Sequence, residues 1–473
     1  MTPSKLTTEG QLLESLDESS ITRNHVKRFL IPACGHLFDN FTTFNITPVL
    51  PILIGVMSLT ATQQSTLISS VGIGGFVGAI AAGPISDAIG RKRTYILATA
   101  LYAITDIITG TIVNNFTFLY AMRIVEGFAV GAEIPIMAVY IAEFIPRKRR
   151  GWAMAFASVF GNTAAPLGTV IVLLTRPEIS WHGVFLIPGI LGLILLPFSI
   201  FYLPESVRYL MKKGKMEEAE KLVRRTSALD PSGMTGTHAL IEEKAPISSL
   251  LRGGFLRPTL SIWALFSILT IGASVIGAYN SVVLVRYTHL LTLQNYLGIT
   301  TLTALATPAG SVLGGALMES VGRRSSLTVA FGLSGLFWLI DAYGLAIHNL
   351  YVVLLFGTLA SFLLSSQVSV IFALGAELYP TGIRNTASAL TNAFLRSAGI
   401  YGPLIYGLYI STQWVNMYAI TGVITLIGAV IALFGIYETK GKSMEKIVAD
   451  LSVGSGVVIS TAAGKPAQTT DKS

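Results

Sequence analysis

The sequence predicts an all-α membrane protein with twelve transmembrane helices in two pseudo-symmetric six-helix bundles. Three observations carry that expectation. Long apolar segments recur from about residue 29 to 437. Of the 473 residues, 52% are hydrophobic and only 12% charged, with a mean hydropathy of +0.65, whereas a soluble domain is nearer a quarter charged. Polar landmarks of the first half also return in the second at an almost constant offset.

The apolar segments lie at about 29–57, 64–88, 94–113, 116–144, 152–175, 182–203, 258–286, 293–320, 326–346, 350–378, 386–411 and 415–436. About 20 residues of helix cross the hydrocarbon core, so the longer segments imply tilt or a buried extension. Five parts follow: a terminal segment 1–28, a six-helix bundle 29–203, a linker 204–257, a second bundle 258–437 and a tail 438–473. The first 28 residues mix acids and bases without a signal-peptide core, so no cleaved leader is expected. The linker contains MKKGKMEEAEKLVRRTSAL, with Met216, Ala219 and Leu222 on one face. It reads as an amphipathic helix packed on the bundle ends. The tail after Glu445 is rich in Gly, Ser, Ala and Thr and is expected to be largely disordered. Cys34 is the single cysteine, so no internal disulfide can form.

The net charge of +8 sits at the ends of apolar segments. That pattern serves membrane orientation, so the bilayer and not nucleic acid is the expected partner. Lys27, Arg28, Arg91, Lys92, Arg93, Arg150, Arg323, Arg324, Arg384, Lys440 and Lys442 fall on one side. The opposite loops are nearly bare, with Arg176 and Arg286 as the main exceptions. The positive-inside rule then puts both termini in the cytoplasm of a multi-pass cell-membrane protein.

The fourth segment runs into a basic loop as RIVEGFAVGAEIPIMAVYIAEFIPRKRRG, residues 123–151. At 100° per residue Arg123, Glu126, Val130 and Glu133 share one arc, and Gly127 and Gly131 the next. A charge at the bilayer centre costs about 2.5–3.5 kcal/mol on insertion scales, so this arc must face protein or a water-filled path. The glycine edge allows a neighbouring helix to approach closely.

The halves repeat. GPISDAIGR at 83–91 matches GALMESVGR at 315–323 (315 − 83 = 232). Ala142, Glu143, Pro146 and Arg150 match Ala376, Glu377, Pro380 and Arg384 (376 − 142 = 234). Glu205 matches Glu438 (438 − 205 = 233). Two parallel six-helix repeats are a transporter architecture, with the solute site near the midplane between them.

These motifs resemble the major facilitator superfamily over nearly the whole chain. Gly83, Asp87, Gly90 and Arg91 are similar to its loop after helix 2, and Arg123, Gly127 and Gly131 to its helix 4 motif. LPESVRYL at 203–210, ELYPTGIR at 377–384 and ETKGKS at 438–443 resemble the sugar porter signatures. The paired glutamine that binds hexose in helix 7 of sugar porters is absent, where this chain has ASVIGAYN at 273–280. Helix 1 instead carries FDNF at 38–41, helix 4 GAEIP at 131–135 and helix 11 FLRSAGIYGP at 394–403. These are similar to aromatic-acid, nicotinate and phosphate proton symporters and to organic anion carriers. The helix ends thus look sugar-porter-like and the helix middles anion-porter-like, and the middles touch substrate.

The candidates follow from depth and chemistry. Asp39, Glu133 and Glu126 are expected to carry coupled protons, since a buried carboxylate can load a proton on one side and release it on the other. His36 reads as a satisfied polar neighbour of Asp39. Arg396, a fixed cation that can hold a carboxylate with two parallel bonds, is the expected anchor for an anion. Asn162, Tyr279, Asn280, Gln367 and Arg123 are further solute-binding candidates. Gln367 repeats Glu133 and Arg396 repeats Asn162, both at 234. Asp106 and Asp341 read as structural. Asp87, Arg91, Glu143, Arg150, Glu205, Arg208, Glu319, Arg323, Glu377, Arg384 and Glu438 form a gating cluster at the helix ends, where charge pairs would close one side in one state and break in the other. Glu319 stands where the family has Asp.

The expected activity is secondary active transport by alternating access, with a small-molecule solute and protons as partners, no cofactor and no metal, and the chain acting as a monomer. The preferred reading is proton symport of an organic anion. A sugar or polyol carrier is the alternative, inorganic phosphate is third, and a non-transporting solute sensor is the reading from another class. No catalytic constellation points to an enzyme.

Overall fold

The computed structural model describes residues 8–146, 149–174, 180–234, 247–274, 279–379, 381–409, 413–442, 446, 447, 450 and 451. In chain order the helices are α1 (Glu9–Asp17), α2 (Arg23–Phe44), α3 (Ile46–Met57), α4 (Ala61–Ile89), α5 (Arg91–Thr111), α6 (Phe116–Phe144), α7 (Arg150–Asn162), α8 (Ala164–Leu174) and α9 (Ser180–Tyr202). The linker holds α10 (Val207–Lys212) and α11 (Met216–Thr226). The second half holds α12 (Leu256–Ser274), α13 (Asn280–Val282), α14 (Leu293–Thr303), α15 (Ala306–Ser320), α16 (Arg323–Ala346), α17 (Leu350–Glu377), α18 (Thr381–Gly407) and α19 (Trp414–Gly435). Among the described residues ten spans are long and apolar enough to cross a bilayer. The more polar α5 and α18, 21 and 27 residues long, pack into the same bundles and complete the twelve.

In the first half α4 lies along α6 and α5 along α9, with α2 against α6 to α9. In the second, α16 lies along α17 and α19, α15 along α17, and α12 against α17 to α19. Small residues permit these approaches. Gly78 meets the Phe128 carbonyl, and Gly310, its repeat, meets the Phe362 carbonyl; a Cβ at either would overlap that oxygen.

The halves meet along α4 and α18, α7–α8 and α14–α15, and α3 and α13. Ser69 donates to the Ile400 carbonyl at 2.9 Å and Thr301 to Thr169 at 3.2 Å. Ser281 donates at 2.9 Å to the Thr47 carbonyl, which Pro51 leaves without its helical donor. These bonds run from mid-helix toward the face away from the termini. On the terminal face the Arg91–Glu143 and Arg323–Glu377 pairs each stay within one half.

That terminal face is built twice. Glu205 accepts from the backbone N–H groups of Arg91, Lys92 and Ser206 at 2.8, 3.1 and 2.9 Å. Glu438 accepts from those of Arg323, Arg324 and Lys440, each at 3.0 Å. Each carboxylate thus caps the first turn of a helix whose orphan donors and dipole favour an anion. Beside them Arg91 pairs with Glu143, and Arg323 with Glu377 at 2.6 Å. Ser206 bonds Glu143 at 2.5 Å, and Thr439 bonds Glu377 at 2.6 Å. The turns need glycine, because Gly90 and Gly322 have φ of +98° and +100°.

The first membrane span breaks at Asn45, between α2 and α3. Arg123 reaches from α6 to mend the break. Its Nη1 donates to the Thr42 carbonyl and to Asn45 Oδ1, both at 2.9 Å, and its Nη2 to the Thr43 carbonyl at 3.3 Å. Glu126 balances the charge at 2.5 Å, and Thr42 donates to Asp106 at 2.6 Å. Arg123 is 1% exposed and Glu126 fully buried.

Two sequence expectations change here. The terminal segment holds a helix, and Thr8 and Gln11 close a capping box over α1. Leu12 and Leu16 of α1 are buried with Ala219 and Val223 of α11, so the amphipathic linker helix packs on the bundle end through α1. Arg150, expected to act within the gating cluster, pairs with Asp17 of α1. In the tail, Ile447 and Leu451 are buried beside Phe255, although disorder was expected there; residues 452–473 lie outside the described residues.

Two outcomes follow. Arg123→Ala, which leaves Glu126 buried and unpaired, should cost about 3–5 kcal/mol, read as lost folded yield and a lower melting temperature in detergent. Replacing both residues with Met should restore only the part due to the unpaired Glu126, because the Thr42 and Thr43 carbonyls and Asn45 stay without the guanidinium, and an unchanged melting temperature in Arg123→Ala contradicts the role. Burial opposes the charge of Glu438, but the backbone N–H groups of Lys440, Arg323, Arg324 and Thr439 outweigh it and hold its carboxyl below the ordinary range. Its contribution is therefore present above about pH 4.3 and is lost as pH falls through the depressed value. Glu438→Gln should remove about 1–2 kcal/mol and flatten that part of the acid melting profile.

Candidate functional site

The site lies at mid-depth, where α2, α6, α7, α17 and α18 bring polar side chains together. On α2, His36, Asp39 and Asn40 occupy adjacent turns. His36 Nδ1 lies 3.3 Å from Asp39 Oδ1, and Asn40 donates to the same oxygen at 3.0 Å. The His36 ring and Asn40 amide lie over Gly161 of α7, where a Cβ would displace them. The next residue, Asn162, donates at 2.8 Å to Ser311 of α15 and so joins the halves.

Glu133 comes from α6 and, like Asp39, is 1% exposed. Its carboxylate fits against Gly35 of α2, with the Tyr95 hydroxyl at its edge. That hydroxyl donates to the Ile31 carbonyl at 3.2 Å, and neither oxygen of Glu133 accepts a hydrogen bond. A buried carboxylate without partners is costly to keep charged. Gln367, the repeat of Glu133 on α17, is also 1% exposed, and its Nε2 and Oε1 have no partner.

Arg396 crosses from α18 onto the first half. Its Cδ lies 3.3 Å from where a Cβ on Gly75 of α4 would sit, and Gly75 in turn packs on Gly131 of α6. A Cβ at 131 would overlap the Gly75 carbonyl, whereas one at 75 would only crowd the Arg396 side chain. Asp39 is close enough to both Glu133 and Arg396 for their charges to interact. Arg396 enters no ion pair among the described residues.

The structure thus gathers Asp39, Glu133, Asn162 and Arg396, with His36 and Asn40 beside them. It separates the others. Arg123 and Glu126 are bound to each other and to the α2–α3 break. Tyr279 donates to the Pro403 carbonyl at 2.7 Å, and Asn280 accepts from Tyr418 at 2.9 Å, so both knit the second half together. Asp106 is held by Thr42, and Asp341 lies against Gly357 of α17.

The gating candidates also divide. Arg91, Glu143, Glu205, Arg323, Glu377 and Glu438 form the two symmetric clusters. Asp87 meets Lys212 of the linker at 3.3 Å in solvent. Arg208 and Glu319 are exposed. The Arg384 side chain lies outside the described residues. Sequence reasoning missed Tyr95 and Ser311, which carry no motif. It also missed Thr42, although it stands one turn beyond Asp39.

Chemically, the site offers two clustered carboxylates, one cation and several amides, shared between the two halves. No group of three His, Cys, Asp or Glu residues could hold a metal ion among the described residues.

The sugar (and other) transporter family matches residues 15–451. The chain is 30% identical to a putative metabolite transport protein, YdjK, of Escherichia coli, covering 92% of this chain and 96% of that one. It is 25% identical to the niacin transporter NiaP of Acinetobacter baylyi, covering 92% and 99%, and 25% identical to a gallate transporter of Pseudomonas putida, covering 79% and 83%. In fold it is similar to the inward open conformation of the xylose transporter XylE from E. coli, with a TM-score of 0.75 at 19% identity over 90% of this chain and 100% of that one. The twelve helices, the duplicated terminal-face clusters and the full-length match agree: the chain belongs to the sugar (and other) transporter family of the major facilitator superfamily.

Proposed function

We propose that this carrier moves a small organic anion together with protons by alternating access across the cell membrane. The observation that carries the reading is Arg396, a cation brought across the interface at mid-depth beside the buried acids Asp39 and Glu133. The aromatic acids in the names of the niacin and gallate transporters support the same class of solute.

The steps follow from charge. In the empty carrier Arg396 is drawn toward Asp39. A solute carboxylate competes for the guanidinium and can accept two parallel bonds from it. Its arrival adds a negative charge beside two carboxylates, which favours uptake of a proton by that acid pair; such a pair titrates as a unit. Gln367 and Asn162 supply hydrogen bonds from opposite halves. A solute held from both sides draws the halves together. For the carrier to open on the other face, the Asn162–Ser311 and Ser69–Ile400 bonds must break.

The positive-inside pattern puts the termini in the cytoplasm, so the state described here is closed on the external side. In the opposite state the Arg91–Glu143 and Arg323–Glu377 clusters approach each other, and their charges help to close the cytoplasmic side. A sugar or polyol carrier is the second reading, favoured by the helix-end motifs and the family description.

Proteoliposomes test the proposal by solute-induced pH change, with niacin, short organic acids, hexoses and phosphate offered in turn. An organic acid should drive proton movement. Arg396→Ala should raise the KM about 30- to 100-fold, the equivalent of one charge-assisted hydrogen bond of about 2–3 kcal/mol. Glu133→Gln and Asp39→Asn should keep solute counterflow but lose accumulation against the gradient. Transport of a hexose alone, with Arg396→Ala unaffected, overturns the anion assignment.

A further inference from the structure

A second cationic site lies outside the transport path, on the rim of the terminal face. An open cavity of about 370 Å³ is lined by Asn24, Lys27 and Arg28 of α2, Phe201 and Tyr202 of α9, and Arg225 of α11. Three cations converge there, and none of them enters an ion pair among the described residues. Arg28 and Arg225 are near enough to repel each other. Arg28 Nη1 is buried without a hydrogen-bond partner.

The side chains are nonetheless held in place. The Arg28 guanidinium stacks 5.3 Å from the Phe144 ring, and the Lys27 ammonium lies 5.8 Å from the Tyr202 ring. Asn24 donates at 2.7 Å to the Arg225 carbonyl, which ties the linker helix to the start of α2. Like charges held together around a hollow, with Arg28 Nη1 buried at its wall without a partner, describe a site for a multivalent oxygen anion.

We propose that this cavity binds the phosphate-bearing headgroup of an anionic phospholipid. A headgroup and free phosphate share this chemistry, and the position favours the lipid. Phe201 and Tyr202 are 79% and 56% exposed at the last turn of α9, where aromatic rings mark the membrane surface. From them an exposed apolar stripe, Phe198 and Ile194, runs back along α9 into the hydrocarbon layer. A lipid with its headgroup among Lys27, Arg28 and Arg225 has its chains on that stripe. It also neutralises the repulsion between α2 and α11, and so fastens the linker helix to the first half. This site is independent of the solute and of proton coupling.

The test uses the purified full-length protein, delipidated in mild detergent and then offered phosphatidylglycerol, phosphatidylcholine or inorganic phosphate. Bound lipid is counted by native mass spectrometry, and stability is followed by thermal melting. One tightly retained phosphatidylglycerol is expected, with phosphatidylcholine washed out and phosphate without effect at millimolar concentration. Lys27→Gln with Arg225→Gln, both at exposed positions that leave the fold intact, should weaken retention about 25-fold, from about fivefold per cation near an anionic headgroup. The melting shift caused by phosphatidylglycerol should disappear with it. Equal retention of both lipids, or unchanged retention in the double variant, overturns the site. Stabilisation by inorganic phosphate that displaces the lipid overturns the membrane source.

Discussion

A charge inside a bilayer persists only where protein or trapped water replaces the solvation it has lost. That constraint sorts the polar side chains of this protein into two groups. Arg123, Glu126 and Asp106 are matched with each other, with Thr42 and Asn45, and with the carbonyls at the α2–α3 break. They hold helices together. Glu133 and Gln367 are as deeply buried yet lack hydrogen-bond partners, and Arg396 reaches across the interface without an ion pair. The first group keeps some unpartnered atoms, Arg123 Nε, Glu126 Oε2 and Asp106 Oδ1, but each side chain is engaged through another, whereas Glu133 and Gln367 have no partner at either polar atom.

The duplication sharpens that contrast. Where the halves agree, the residues build structure: Glu205 and Glu438 cap α5 and α16, and Gly78 and Gly310 seat equivalent helix pairs. Where they differ, chemistry enters. The first half has Glu133 and Asn162 where the second has Gln367 and Arg396. The acids thus belong to one body and the cation to the other. On the proposed function, an anion that links them would draw the bodies together, and a proton on the acid side would keep the assembly near neutral. The terminal-face clusters each close within their own half, where they set helix ends.

Much of this was legible in the sequence. The spans and the repeat follow from recurring apolar segments and a nearly constant offset, because these depend on local pattern. That Asp39, Glu133 and Arg396 stand within apolar segments was legible for the same reason. Their partners were not. Arg123 stood with Arg396 among the solute-binding candidates, although Glu126, three residues on along the same arc, was a ready partner for it. Only the break at Asn45, brought alongside α6 by packing, shows that Arg123 is committed. Arg150 pairs with Asp17 across 133 residues, and Tyr279 bonds Pro403 across 124. Helix-to-helix placement decides such pairs, and no single helix pattern encodes it. The α1 helix is a different case: its capping box was readable, but nine residues among mixed charges carry too little apolar signal to stand out.

The most direct test of the shared site is calorimetry of niacin binding to the purified protein, run in two buffers of different ionisation enthalpy. The difference between them counts protons taken up with the solute. The account predicts net proton uptake on binding, abolished in Glu133→Gln while that variant still binds niacin. Binding without proton uptake, or the same uptake in Glu133→Gln, would contradict it.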